Sequence, residues 1–233
     1  MSKLAIVTGA STGIGHATAH TLLRDGFDVI SLARRRCDVP GVVSLQADLT
    51  EPLAADVRTT LLDTCKDRQQ IAIVHSAGWL AGDSAQSISL EALDRAFAVN
   101  VTAPAMLNAL LIPHLPVSSS IVFVSSTLGT KAVPGALSYA VSKHAVDGLM
   151  QATCQDLAGS GVHTACVAPG FTNTQMLRDH VGNDPQILAG IASGVTFNRL
   201  IEPAEIAATI AFCIDNPVIN GAIIHANLGQ IER

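Results

Sequence analysis

Tyr139 and Lys143 are residues whose types and spacing could carry out acid–base chemistry. They lie in the segment LSYAVSKH, and Tyr139 is the only tyrosine in the chain. Residues four apart lie on one face of an α-helix, so the ammonium would stand one turn from the phenol. A phenol has a pKa of about 10, and a neighbouring positive charge favours the phenolate. The pair predicts a group that exchanges protons with a substrate; an ordinary amphipathic-helix pair is the alternative.

The elements that must position this pair are strands alternating with helices. Short runs rich in β-branched residues are apolar almost throughout, which is typical of strands buried on both faces. The alternation predicts an α/β fold with a three-layer, doubly wound parallel sheet of about seven strands, in a single domain over 1–233. The predicted strands are 4–9, 28–33, 42–47, 71–78, 121–126, 163–170 and 222–227, and the predicted helices are 14–25, 54–67, 90–111, 138–158 and 204–214.

Segments that follow the strands are the places to look for a ligand, because open parallel sheets bind ligands beyond the carboxyl ends of their strands. The first strand is followed by TGASTGIG, in which Gly9, Gly13 and Gly15 allow the backbone to approach a pyrophosphate. The helix that begins near Ile14 would present free N–H groups and a positive dipole end. The motif predicts a phosphate cradle; a glycine-rich turn that only packs is the alternative.

This motif resembles the TGxxxGIG signature of the short-chain dehydrogenase/reductase family, in its single-domain branch. Further resemblances occur along nearly the whole chain, in FAVNV (97–101), STLGTKAVPGALSYAVSK (126–143) and APGFTNTQM (168–176). Segment HSAG (75–78) departs from the usual Asn-Asn-Ala-Gly, and His75 is interpreted as a hydrogen-bonded strand residue. The resemblance implies a Rossmann fold and an NAD(P)-dependent oxidoreductase that acts on CH–OH or C=O groups.

The resemblance also implies four catalytic residues. Ser126, thirteen residues before Tyr139, would donate to the substrate carbonyl oxygen that Tyr139 protonates. Ser125 is interpreted as the hydroxyl that caps the loop. Lys143 would lower the pKa of the phenol and contact the nicotinamide ribose, and Asn100 would hold a water that links the lysine to solvent.

The cofactor is predicted from the end of strand two, LARRR, which carries no acidic residue. An acid there would bind the ribose hydroxyls of NAD, whereas Arg34, assisted by Arg35, can bind the extra phosphate of NADP. Asp38 lies close by, and Thr12 stands where many NADP-using relatives have a basic residue. NADP(H) is therefore preferred and NAD is the alternative. The predicted cofactor-binding residues are Gly9, Ser11, Thr12, Gly13, Ile14, Gly15, Arg34, Arg35, Asp48, Leu49, Ala77, Gly78, Tyr139, Lys143, Pro169, Gly170, Phe171 and Thr174.

The predicted function is reduction of a ketone or aldehyde to an alcohol by hydride transfer, with Tyr139 as proton donor. The alternatives are an NAD-dependent secondary alcohol dehydrogenase, a 3-oxoacyl thioester reductase, an epimerase or dehydratase of the extended branch, and a dinucleotide-sensing regulator. A loop at about 171–199 is expected to contain one or two short helices and to cover the substrate. An apolar pocket wall favours a small or medium uncharged substrate; it is predicted from Trp79, Leu80, Leu128, Val133, Leu137, Phe171 and Met176.

Bulk properties set further expectations. The formal net charge is −5, and the basic residues form no stripe, so no nucleic-acid partner is expected. No apolar run is judged long enough to span a membrane and no signal pattern is found, so a cytoplasmic location is expected. Five scattered cysteines and eight unclustered histidines predict reduced thiols and no metal. The resemblance implies a homotetramer or homodimer, through helices four and five and the last strand.

Overall fold

The computed structural model describes residues 2–231 of the chain. Within that part, seven strands form one sheet in the order β3-β2-β1-β4-β5-β6-β7, and every neighbouring pair is parallel. The predicted doubly wound parallel sheet is therefore confirmed. The strands are β1 Lys3–Thr8, β2 Phe27–Ala33, β3 Val43–Gln46, β4 Gln70–His75, β5 Ser120–Val124, β6 His163–Pro169 and β7 Ala222–Ala226.

Helices cover both faces of the sheet. α1 packs against α8 on one face, while α2, α4 and α5 cover the other. The loop predicted at 171–199 contains two short helices, α6 and α7, as expected. The helices are α1 Gly13–Arg24, α2 Ala55–Cys65, α3 Leu90–Phe97, α4 Ala103–Leu111, α5 Leu137–Asp156, α6 Gln175–Val181, α7 Pro185–Ser193 and α8 Pro203–Asp215.

Two apolar cores lie on opposite sides of the sheet, because successive side chains of a strand point to opposite faces. In β1, Ala5 and Val7 pack into the core beneath α1 and α8, whereas Leu4 and Ile6 pack into the core beneath α2, α4 and α5. All four side chains are almost completely buried. Burial on both faces explains why the strands read as continuous apolar runs.

The segment predicted as one helix over 90–111 is interrupted by a π-helical turn at Ala98–Thr102 between α3 and α4. The buried side chain of Asn100 lies in this turn, and its three hydrogen bonds all leave the helix. Single π turns occur at functional sites more often than elsewhere in helices. The prediction of a continuous α-helix was therefore wrong at the residues that surround Asn100.

The helical run from Leu90 to His114 is long and apolar enough to cross a membrane by length and composition, with a mean hydropathy of 1.5. The expectation that no apolar run reaches this length was therefore wrong. The core helix of a soluble protein passes the same test. In this run Leu107 and Leu111 pack into the core.

Candidate active site

A cleft of about 350 Å³ opens at the carboxyl edge of the sheet. It lies where the chain turns away from β1 and β4, the central pair at which the strand order reverses. Ligands of doubly wound sheets bind at this point, because loops from the two halves diverge there and leave a crevice. The loops that follow β1, β2, β4, β5 and β6 all line the cleft.

The glycine-rich loop fits against the loop after β4 with no room for side chains. Gly9 has a positive φ of 71°, and a Cβ atom there would lie 2.7 Å from Ala77 Cα. A Cβ atom on Gly15 would lie 2.5 Å from the Gly9 carbonyl oxygen. Thr8 Oγ1 accepts hydrogen bonds from the backbone N–H groups of Ser76 and Ala77, each at 3.0 Å. These contacts fix the two loops that form the floor of the cleft.

The N-terminus of α1 faces the cleft without a side-chain cap. Thr12 occupies the N-cap position but makes no capping hydrogen bond, whereas Thr174 caps α6. The first N–H groups of an uncapped helix carry partial positive charge and suit a phosphate. A Cβ atom on Gly13 would lie 3.3 Å from Thr174 Cγ2, so the start of α6 lies directly across the loop. This arrangement can hold a pyrophosphate between α1 and α6.

Arg34, Arg35 and Asp48 lie together at the other end of the cleft. Asp48 accepts hydrogen bonds from the Thr50 backbone at 3.0 Å and its hydroxyl at 2.8 Å, which lower the carboxyl pKa below its usual value. Among residues 2–231, no acidic side chain forms an ion pair with Arg34 or Arg35. Asp38 instead pairs with His16, at 2.7 Å. Both guanidinium groups are therefore available to an anion at this end.

Ser126 and Tyr139 both line the cleft. Desolvation raises the pKa of the Tyr139 phenol to about 12, and the Ser126 side chain acts in the opposite direction. The Ser126 hydroxyl accepts a hydrogen bond from the Leu128 backbone at 3.1 Å. Loop capping, which the sequence favoured for Ser125, thus belongs to Ser126. The Ser125 hydroxyl donates to the Lys143 carbonyl at 3.4 Å.

Lys143 lies behind the phenol, one turn along α5. Its ammonium donates to the Val124 carbonyl at 2.8 Å and lies 5.4 Å from the centre of the Tyr139 ring. Burial lowers the pKa of Lys143 to about 8. The expectation that Lys143 brings the phenol pKa toward neutrality was not met, because desolvation of the phenol raises its pKa instead.

Asn100 ties the π turn to the cleft floor and to α5. Its Oδ1 accepts from the Trp79 backbone N–H at 2.8 Å, and its Nδ2 donates to the Trp79 carbonyl at 3.0 Å and to Ser142 Oγ at 2.8 Å. A Cβ atom on Gly78 would lie 3.8 Å from Asn100 Oδ1 and 3.9 Å from Lys143 Nζ. Asn100 and Lys143 therefore both border Gly78, but Asn100 does not itself line the cleft.

Comparison with known proteins now identifies the family. The family model described as short chain dehydrogenase matches residues 3–184, most of the chain. The chain belongs to the short chain dehydrogenase family. It is therefore an oxidoreductase of the family that acts on CH–OH and C=O groups.

Individual relatives of this short chain dehydrogenase are distant but match nearly all of the chain. YmfI, an uncharacterized oxidoreductase of Bacillus subtilis, is 29% identical over 98% of this chain and 99% of its own length. The 3-oxoacyl-[acyl-carrier-protein] reductase MabA of Mycobacterium tuberculosis is 26% identical over 99% of this chain and 93% of its own. The crystal structure of the angucycline C-6 ketoreductase LanV with bound NADP matches 97% of this chain and 95% of its own, with 29% identity and a TM-score of 0.86.

The cleft of this short chain dehydrogenase brings together nearly all of the residues singled out from the sequence. The cleft-lining residues among those predictions are Gly9, Ser11, Thr12, Gly13, Ile14, Gly15, Arg34, Arg35, Asp48, Leu49, Ala77, Gly78, Ser126, Tyr139, Lys143, Pro169, Gly170, Phe171 and Thr174. Their individual roles stay predictions.

The predicted pocket wall needs one correction. Leu137 lies in a neighbouring groove on the other side of α5 and not in the cleft. Residues two apart on a helix point in nearly opposite directions, so a helix that turns Tyr139 into the cleft turns Leu137 away from it. The other predicted wall residues line the cleft.

Three further polar residues line the cleft that no motif indicated. Arg95 on α3 lies over the Trp79 ring at 5.4 Å, while His180 and Gln230 reach the cleft from α6 and the segment after β7. Their place depends on how distant segments fold over the sheet. The spacing of these residues along the sequence does not indicate that they lie in one cleft.

Two histidines have partners that the sequence could not specify. His75 is buried outside the cleft and bonds Asn108 Oδ1 through Nε2 at 2.8 Å; burial lowers its pKa to about 4. It is a hydrogen-bonded strand residue, as interpreted. His16, Cys37 and Asp38 place one ligand atom each within 4.8 Å of one another. The fold thus brings a histidine into a cluster of possible ligand atoms, which the sequence did not predict. Two of the three side chains, His16 and Asp38, are hydrogen-bonded to each other.

Proposed function

We propose that this protein is an NADP(H)-dependent reductase that converts an uncharged ketone or aldehyde to an alcohol, with Tyr139 as proton donor. The observation that carries the proposal is that Tyr139 and Ser126 line the same cleft as the glycine-rich loop, with the Lys143 ammonium 5.4 Å from the centre of the Tyr139 ring. A phenol with a pKa of about 12 stays protonated at neutral pH, which is the form that carbonyl reduction requires.

The cleft fits a dinucleotide along its length. The close contacts of Gly9 and Gly15 leave bare backbone next to the uncapped start of α1, which suits a pyrophosphate. Arg34 and Arg35 offer two guanidinium groups to a 2′-phosphate at the adenine end, which favours NADP over NAD. NADP(H) supplies a hydride to the substrate carbonyl carbon when it is bound.

The protein side of the reaction is proton transfer and charge stabilisation. Ser126 donates a hydrogen bond to the substrate oxygen as negative charge develops there. Tyr139 gives its proton to the same oxygen. The Lys143 ammonium, held by the Val124 carbonyl, stabilises the phenolate that remains. Asn100 positions the Trp79 backbone and α5 around this centre, next to the lysine. The water that it would hold stays a prediction.

An apolar wall supports an uncharged substrate. Leu80, Leu128, Val133 and Met176 form an apolar part of the cleft wall, which Arg95 and His180 also reach. A 3-oxoacyl thioester is the second candidate, because the relative MabA bears the name of a 3-oxoacyl-[acyl-carrier-protein] reductase. A cytoplasmic location and a homo-oligomeric state complete the proposal.

A substrate panel followed by nucleotide absorbance tests this function. NADPH and NADH are each offered with aliphatic ketones, aryl ketones, aldehydes and 3-oxoacyl thioesters. Consumption of NADPH with simple ketones, faster than with thioesters or with NADH, is the expected result. Binding of NADPH without turnover on any carbonyl would contradict the proposal and favour a dinucleotide sensor.

A further inference from the structure

Asp147 is a buried carboxylate beneath the active site that the proposed reaction does not use. It lies on α5, one helical turn beyond Lys143 and two turns beyond Tyr139, and only 6% of the residue is exposed. A carboxylate is rarely buried to this extent without a partner, because removal of its charge from water is costly. Its position therefore calls for a compensating group.

Only one of the two Asp147 carboxylate oxygens has a hydrogen-bond partner among the described residues. Cys166 Sγ on β6 donates to Asp147 Oδ1 at 3.3 Å. Asp147 Oδ2 is buried and has no hydrogen-bond partner among the described residues. Gly129 leaves space beside Oδ2, because a Cβ atom on Gly129 would collide with it and would lie 2.8 Å from Ser125 Oγ. The carboxylate is thus enclosed between α5, β6 and the loop that follows β5.

Lys143, one helical turn before Asp147 on α5, is a cation whose pKa the carboxylate raises. The groups around the Lys143 ammonium are Tyr139 and Asp147 from α5, Cys166 from β6, the Val124 carbonyl from β5 and Asn100 from the π turn. Of these, only Asp147 carries a negative charge when every group has its ordinary protonation at neutral pH. No direct ion pair joins the two side chains within residues 2–231, so the attraction acts through space.

We propose that Asp147 is a positioning residue for the reaction, a buried counter-charge that keeps the Lys143 ammonium protonated beside Tyr139. The inference rests on the proposed function for its catalytic meaning, although the charge coupling itself does not depend on any substrate. Burial favours the neutral amine, and interactions with Cys166 and Asp147 act against this tendency. Because burial raises the pKa of the Cys166 thiol, that group is uncharged near neutral pH, and the carboxylate supplies the opposing charge. Without it, the lysine would lose its charge near neutral pH and could no longer stabilise a phenolate.

The size of the effect follows from the helix geometry. For a charge separation of about 6 Å, the axial rise over four residues, an effective dielectric constant of about 20 gives a pKa shift of about two units. Since Lys143 has a pKa of about 8, loss of the carboxylate would bring it below neutrality. The direction is fixed, because removal of a negative charge always favours the deprotonated amine.

The test is a titration of Lys143 in the Asp147→Asn variant. The chain has four lysines, so NMR of protein labelled at the lysine ε-carbon resolves them, and Lys143→Arg assigns the signal. We expect the Lys143 pKa to fall by one to two units relative to the parent protein, with circular dichroism to verify folding. An unchanged Lys143 pKa in folded Asp147→Asn protein would overturn the proposal.

Two control variants separate charge from packing. Asp156→Asn removes the same charge from an exposed position on the same helix, and we expect no change in the Lys143 pKa. Cys166→Ala disturbs the same buried site but keeps the carboxylate, so the Lys143 pKa should not fall. An equal fall in the cysteine variant would contradict the counter-charge role.

The pH profile gives the functional readout. In Asp147→Asn, kcat/KM for carbonyl reduction should fall about tenfold at pH 7.5 and recover as the pH is lowered, because the lysine becomes protonated again. A loss that is the same at every pH would indicate a merely structural role. If the parent protein reduces no carbonyl, the proposed function fails, whereas the lysine titration still decides the charge coupling.

Discussion

Arg34 and Arg35 place two positive charges in the cleft. In the proposed complex they lie beside the adenosine ribose, where NADP has a 2′-phosphate and NAD has a hydroxyl. We expect Arg34→Asp to reduce NADPH affinity by about ten- to a hundredfold and to improve NADH affinity, because a charge-assisted contact becomes a repulsion. Fluorescence titration of each nucleotide measures the two affinities.

Arg36→Asp is the matched control, since it makes the same charge change two residues away at an exposed position outside the cleft. It should leave the ratio of NADPH to NADH affinity nearly unchanged. An unaltered NADPH affinity in Arg34→Asp would refute the assignment of this arginine to the phosphate.

At the scale of single residues, the sequence predicted which side chains lie in the cleft but not how their pKa values are shifted. Tyr139, Lys143 and Ser126 were found from spacing and motif, and all three line one cleft. The direction of the Tyr139 pKa was predicted wrongly, because burial depends on neighbours that are distant in sequence. The Lys143–Val124 hydrogen bond joins α5 to β5 and likewise has no local signature.

Among the elements, α1 depends on a close approach between its first turn and the loop that precedes it. A Cβ atom on Gly15 would lie 2.5 Å from the Gly9 carbonyl oxygen. This oxygen belongs to the backbone, so it cannot move aside as the end of a flexible side chain could. We expect Gly15→Ala to lower the free energy of unfolding by about 1–3 kcal/mol and to weaken NADPH binding at least tenfold. Chemical denaturation and nucleotide titration measure the two effects.

Gly148→Ala provides the control for this substitution. Gly148 lies within α5, and a Cβ atom there would meet nothing within 4 Å. Alanine is the better helix former, so this variant should be more stable by about 0.5–1 kcal/mol. Equal effects of the two substitutions would show that the contact between Gly15 and Gly9 has no special role.

The positions of strands and helices could be predicted from the sequence wherever a local apolar pattern determines them. The apolar runs located every strand, while the π turn at Ala98–Thr102 was missed within an otherwise helical period. The side chain of Asn100 is satisfied by Trp79 and Ser142, and the latter lies 42 residues away. Such a pairing depends on tertiary contacts, which periodicity does not report.

The stability of the whole molecule should depend on pH through His75. Its pKa is lowered by burial from 6.5 to about 4, so the unfolded chain binds a proton more readily than the folded one between these values. The stability that this group contributes is present above pH 6.5 and is lost as the pH falls toward 4. The loss amounts to about 3 kcal/mol, and denaturation at a series of pH values measures it.

His75→Asn isolates this contribution, because asparagine does not titrate and can keep a hydrogen bond to Asn108. The variant should show a free energy of unfolding that varies less between pH 6.5 and 4. Identical pH dependence in the two proteins would exclude His75 as the cause.

On the scale of the molecule, fold class and sheet topology were predictable, since doubly buried strands alternate with helices throughout the chain. The family motifs added the position of the cleft. Residues such as Arg95 and Gln230, which reach that cleft from distant segments, could not be predicted, because only the folded sheet brings them together.

Reduction of a carbonyl by Tyr139→Phe protein tests the central claim most directly. The substitution removes one hydroxyl from the cleft and leaves the glycine-rich loop and both arginines in place. We predict a fall of at least a thousandfold in kcat with NADPH affinity within about threefold of the parent protein, because the proton donor is lost while the nucleotide site remains. Turnover close to that of the parent protein, with NADPH still bound, would contradict the account.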